Sequence, residues 1–137
     1  METKEKNLTL ESTITHVRNF HDAFGIENAS QITARLSEQD YMLRYDLMKE
    51  ENDEYIEACR NNDLVEIADA LGDQLYILCG TILKHGLENK IEEVFLEIQR
   101  SNMSKLGANG KPIYREDGKV LKGENYFKPD IKSILES

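Results

Sequence analysis

Two acidic pairs, Glu51-x-x-Glu54 and Glu66-x-x-Asp69, lie near the middle of the chain, with Glu50 just before the first and Asp73 one helical turn after the second. Residues three apart share a helix face, so each pair presents two carboxylates side by side. The turn-like Arg60-Asn61-Asn62-Asp63 between them lets two helices run antiparallel and brings the pairs together. Four or more carboxylates converging in that way repel strongly unless a cation sits among them. Oxygen-only ligands suit Mg²⁺ or Mn²⁺ rather than zinc. In a chain with 26 acidic residues one ExxE reads as a solvated face. Two pairs on consecutive helices, set against apolar stripes, point instead to a divalent-metal site.

The elements that must position these residues are helical. Leu8, Leu10, Ile14, Val17, Phe20 and Phe24 fall near helical spacing and predict a first helix over 8–25, with Gly25 as its C-terminal cap. His21 in that helix reads as a polar residue beside two aromatics, with a role near a bound base as the sharper alternative. Residues 26–38 read as a loop. A second helix, about 38–60, starts from Ser37 as N-cap. Its Tyr41, Tyr45, Met48, Tyr55 and Cys59 trace an apolar line expected in the core, and Glu51 and Glu54 follow an adjacent line. Carboxylates next to an apolar stripe are costly unless neutralised. Glu57 and Asp53 read as the ordinary solvated face.

A third helix, capped by Asn62 or Asp63, runs to about Lys84 with a broad stripe of Leu64, Ile67, Leu71, Leu75, Leu78 and Ile82. Glu66, Asp69 and Asp73 sit on another side, and Ala70, Gly72 and Gly80 permit close helix approach. Apolar surface on more than one side implies burial against several neighbours, hence a bundle and a dimer. Gly86 ends this helix, and Lys84 and His85 complement its negative end. A fourth helix, about 88–104, has Ile91, Val94, Phe95 and Ile98 as its core face. Beyond Leu106 the chain is punctuated by glycine, and Pro112–Arg115 and Lys119–Lys122 flank Glu116-Asp117-Gly118, a hairpin signal. The reading is one all-α domain, 1–137: a helical core over about 8–106, then a small C-terminal β-hairpin or extended segment and tail over about 107–137.

Bulk properties narrow the function. A net charge of −9 without a Lys/Arg run argues against polymeric DNA or RNA as a partner, though not against nucleotides, which a cation can bridge to acidic residues. No apolar run reaches the roughly 20 residues that span a bilayer. The Met1–Lys6 stretch lacks the apolar segment of a secretory signal. Cys59 and Cys79 form no CxxC pattern and read as buried thiols. A cytoplasmic protein is expected. There is no GxSxG, P-loop or GxGxxG, and histidines and cysteines are too few and badly spaced for zinc.

The paired Glu51-x-x-Glu54 and Glu66-x-x-Asp69 resemble the ExxE…ExxD signature of the all-α, MazG-like nucleoside triphosphate pyrophosphohydrolases, a superfamily that also holds dimeric dUTPases and phosphoribosyl-ATP pyrophosphohydrolase. EIADALGDQLY (Glu66–Tyr76) and RSNMSKLGANGKPIYREDGKVLKGENYFKPD (Arg100–Asp130) resemble one branch of it, and the resemblance spans roughly residues 14–130. Eleven residues, 55–65, separate the pairs, which makes for a tight helical hairpin. The resemblance implies a four- to five-helix bundle assembled as a homodimer or homotetramer, with Mg²⁺ held by Glu51, Glu54, Glu66 and Asp69. It implies cleavage of a nucleoside triphosphate between the α- and β-phosphates, to monophosphate and pyrophosphate. Glu50 or Asp73 could accept the attacking water's proton or hold a further metal. Asn102 and Lys105 match substrate-facing positions of the family, and Arg115, Lys119 and Lys122 could contact phosphates, ordinary surface charge being the alternative. Two other readings stand beside this one: a phosphoribosyl-ATP pyrophosphohydrolase, and an acidic helical interaction module without catalysis.

Overall fold

The computed structural model describes residues 8–137, so the Met1–Lys6 stretch lies outside the described residues. These fall into two compact units, one ending at Glu88 and the other Asn89–Ser137. The fold is all-α.

The first unit holds α1 (Leu10–Ala23), α2 (Glu38–Arg60) and α3 (Leu64–Lys84). Each starts where the sequence supplies a cap. Thr9 and Ser12 form a reciprocal capping box on α1, Ser37 Oγ accepts from the Asp40 N–H at 3.1 Å, and Asp63 Oδ1 accepts from the Glu66 N–H at 3.1 Å. Between α2 and α3 lie only Asn61, Asn62 and Asp63. Asn62 takes the left-handed conformation (φ 52°), which asparagine tolerates better than most residues. The two helices pack antiparallel along their length. At the open end Arg44 donates to the Ile77 carbonyl at 2.9 Å and to Thr81 Oγ1 at 3.0 Å. Further in, Asn52 meets Gln74 at 3.5 Å.

Helix α1 lays Ile14 and Val17 onto α3, where Ala70, Cys79, Ile82 and Leu83 are buried, and Ala58 of α2 is buried too. The loop after α1 is tied back by Ala29 and Thr33, whose N–H groups donate to the carbonyls of Leu83 and His85. It passes so close to Gly86 (φ 69°) that a Cβ there would sit 2.5 Å from the Gln31 carbonyl oxygen.

Part of the expected core is exposed. Tyr41 is 48% exposed and Tyr45 53%, and Leu71, Leu75 and Leu78 are close to half exposed. Helix α1 covers one side of the α2–α3 pair, and these residues lie on surface that no described element of the first unit covers. Cys79 is buried and Cys59 half-buried, both free thiols.

In the second unit α4 (Ile91–Met103) packs against α5 (Ile131–Glu136), a six-residue helix capped by Asp130. The Asp130 N–H donates to Glu97 Oε2 at 2.9 Å, Ser101 Oγ donates to the Phe127 carbonyl at 2.8 Å, and the Arg100 guanidinium lies 4.8 Å from the Phe127 ring centre. The α4 core face is only partly realised. Ile91 and Val94 are half-buried, but Phe95 is 62% exposed, because so short a helix covers little of α4. Of the expected β-hairpin or extended segment, residues 113–121 form one antiparallel bridge between Tyr114 and Val120, and no strand forms among the described residues. Both side chains stay exposed, so no apolar face extends the ladder.

Candidate active site

The antiparallel register brings the middle of α2 against the first half of α3, the arrangement the two acidic pairs require. Oxygens of Glu50, Glu51 and Glu54 lie within 4.8 Å of one another. Glu51 is the buried member, 8% exposed, and its Oε1 has no hydrogen-bond partner. Burial holds its carboxyl above the usual range, and Glu54, Asp73, Glu50 and Asp69 raise it further. Thus five of the six predicted acidic residues share one electrostatic neighbourhood. Glu66 lies nearer the Asn61–Asp63 turn, where it and Glu54 line a cavity of about 310 Å³. No Lys or Arg among the described residues forms an ion pair with any of the six.

A buried carboxylate oxygen without a donor, ringed by like charges, is expensive unless a cation completes it. The residues therefore fit a metal ion, and the all-oxygen donor set is that of a hard divalent cation.

The expected substrate-contacting residues belong to the second unit. Asn102 is exposed, and its carbonyl accepts from the Lys105 N–H at 3.1 Å. Arg115 Nε donates to Asp117 Oδ1 at 2.9 Å, which lowers the Asp117 pKa, and the Lys119 N–H donates to the same oxygen at 3.1 Å.

Sequence reasoning touched a second feature only through His21, for which a role near a bound base is the alternative reading. A cavity of about 640 Å³ opens between α1, the start of α2 and the end of α3. Two polar side chains in its wall are more than nine-tenths buried, His21 at 2% and Arg44 at 8% exposed. His21 Nδ1 lies 2.6 Å from Asn28 Oδ1, and burial lowers the Arg44 pKa. The signal was Gly80, read only as permitting close helix approach. A Cβ there would lie 2.6 Å from Arg44 Nη2 and 3.0 Å from His21 Nε2, so its absence makes room for both heads. His85, by contrast, caps α3 and bonds the Thr33 carbonyl, as its position at the helix end suggested.

An all-α chain with carboxylates converging across a helical hairpin has the architecture of the MazG-like pyrophosphohydrolase superfamily. Residues 17–102 match the phosphoribosyl-ATP pyrophosphohydrolase family, and the chain belongs to that family. Among solved structures it is similar to that of a candidate NTP pyrophosphohydrolase from Exiguobacterium sp. 255-15, with a TM-score of 0.50 and 24% identity over 90% of this chain and 94% of that one. That likeness is one of fold. No curated protein matches the chain.

Proposed function

We propose that this protein is a Mg²⁺-dependent nucleoside triphosphate pyrophosphohydrolase, cutting between the α- and β-phosphates to release pyrophosphate and clearing non-standard or excess nucleotides from the cytoplasmic pool. The observation that carries the reading is the buried, unpartnered Glu51 Oε1 among Glu50, Glu54, Asp69 and Asp73. Glu51, Glu54, Glu66 and Asp69 would hold Mg²⁺ or Mn²⁺, with Asp73 as a further ligand. When bound, the cation supplies charge neutralisation on the triphosphate and a lowered pKa for water. Glu50, exposed at the cluster's edge, or Asp73 would take the proton of the attacking water. Asn102, Lys105, Lys119 and Arg115 are assigned to the substrate, Arg115 with its Nε and Nη2 already on Asp117. The half-exposed apolar faces of α2 and α3 support a homodimer or homotetramer.

The test is pyrophosphate release from a panel of standard and modified triphosphates, with Mg²⁺ and with EDTA, beside Glu54→Gln. Metal-dependent release lost in the variant is the expected result. The family match favours a second reading, phosphoribosyl-ATP as substrate. Turnover of that compound alone, with every ordinary triphosphate inert, would decide for it. No metal binding and no turnover of either would leave the acidic interaction module.

A further inference from the structure

The cavity between α1, α2 and α3 holds the Arg44 guanidinium, which makes no ion pair among the described residues. Arg44 Nε and Nη2 are committed to Thr81 Oγ1 and the Ile77 carbonyl, which fixes the guanidinium plane. Its Nη1 makes no hydrogen bond among the described residues, and the cavity's Asp40 faces Lys84 at 4.0 Å instead. Arginine is donor-only, so the free position asks for an oxygen acceptor. His21 sits beside it. In the tautomer whose Nδ1–H donates to Asn28 Oδ1, Nε2 is an acceptor, and it lies beside the Arg44 Nη2 end of the guanidinium over the missing Cβ of Gly80. The wall thus offers a donor beside an acceptor.

The remaining walls suit a flat ring. Phe20 and Tyr76 meet edge to face at 5.7 Å, and Leu43 and Leu47 complete an apolar surround. The cavity adjoins the acidic cluster along the same helices. Arg44 precedes Glu51 by seven residues, about 10 Å of helix. Leu47 lies one turn before Glu51, and Tyr76 three residues after Asp73. A sugar and its α-phosphate bridge such a gap.

Resting on the reading above, we propose that this cavity takes the base of the nucleotide and that Arg44 and His21 select bases presenting a ring N–H beside a carbonyl oxygen (uracil, hypoxanthine, guanine). With the sugar held on the side of the acidic cluster, the base cannot turn over in its plane, and cytosine and adenine, with a bare ring nitrogen beside an amino group, then set lone pair against lone pair at His21 and N–H against N–H at Arg44.

The experiment compares kcat/KM within the pairs UTP and CTP, and ITP and ATP, for the wild type, Arg44→Met and Arg44→Lys, alongside calorimetric titration of UMP and CMP, which needs no turnover. The keto member of each pair is expected to lead by about tenfold or more, the effect of one charge-assisted hydrogen bond. Arg44→Met should shrink that lead to within about threefold. If Arg44 only ties α2 to α3, both members fall together and the ratio is unchanged, which overturns the proposal. So does a wild-type ratio near one or favouring the amino member, while metal-dependent turnover would still uphold the reaction. Selective UMP binding lost in the variant, with no triphosphate turned over, keeps the base reading and removes the reaction. If Arg44→Met does not fold, Arg44→Lys, which keeps the charge but loses the fixed plane, is read by the same ratios.

Discussion

Glu51→Gln separates metal binding from folding in one substitution. Without metal, the Glu51 carboxylate has no donor and several like-charged neighbours, so removing its charge should not cost stability. Carboxylate oxygens 4.8 Å apart repel by about 1 kcal/mol per pair at the dielectric of water, the relevant value because Glu50 and Glu54 are exposed. The new amide can also donate to the acids around it. At about 3–5 °C per kcal/mol for a chain of this size, metal-free Glu51→Gln should melt at or up to about 5 °C above the wild type. The metal reverses the order. Mg²⁺ at 100 times its Kd stabilises the wild type by about 2.7 kcal/mol, roughly 8–13 °C, and the variant should keep less than half of that. The pH dependence follows from the raised carboxyl. The native state binds this proton more tightly than the unfolded chain does. Between the two pKa values it therefore holds more protons, and metal-free stability falls as pH rises. This contribution is fully present below the ordinary carboxylate range, is lost as pH rises through the native value, and is absent from Glu51→Gln. Calorimetric melting of both proteins, with EDTA and with Mg²⁺, across pH 4–8 reads all of this. A metal-free variant that melts well below the wild type would refute the reasoning, since Glu51 would then be a satisfied structural residue.

Two glycines of α3 should respond oppositely to alanine. At Gly72 a Cβ meets nothing within 4 Å, so Gly72→Ala should stabilise by about 0.5–1 kcal/mol, whereas Gly80→Ala drives into Arg44 and His21 and should cost about 1–3 kcal/mol net; urea titration checks both. Leu83 is fully buried, so Leu83→Ala should cost about 2–5 kcal/mol in the same titration. The Asp130 N–H and then Arg100 hold the Glu97 carboxyl below its usual range. Its hold on the start of α5 is therefore complete above the ordinary carboxylate range and lost as pH falls through the lowered value, and Glu97→Gln should speed hydrogen exchange in α5 at neutral pH.

The helices were legible because their punctuation is local. Ser37 and Asp63 cap where side-chain chemistry requires, and an i, i+3 spacing of carboxylates survives any packing. What escaped was set by pairings distant in sequence. Arg44 carries no local signal, because its role rests on a 37-residue reach to Thr81, and nothing local to His21 decides between a polar helix residue and one near a bound base. The apolar line through Tyr41 and Tyr45 announces burial but not what covers it. The β-hairpin signal at Asp117-Gly118 describes a turn, and a turn cannot supply the buried face that a ladder needs.

The three-residue link through Asn62 also bears on how the site comes into being. All six carboxylates fall within 24 consecutive residues, and closing the turn is the only loop cost of bringing them together. Their convergence is a short-range event that needs neither chain terminus, in the class of contacts that form fastest during folding. The same charges oppose it. The hairpin thus carries an electrostatic brake in its middle, which a divalent cation bound among the six carboxylates would release.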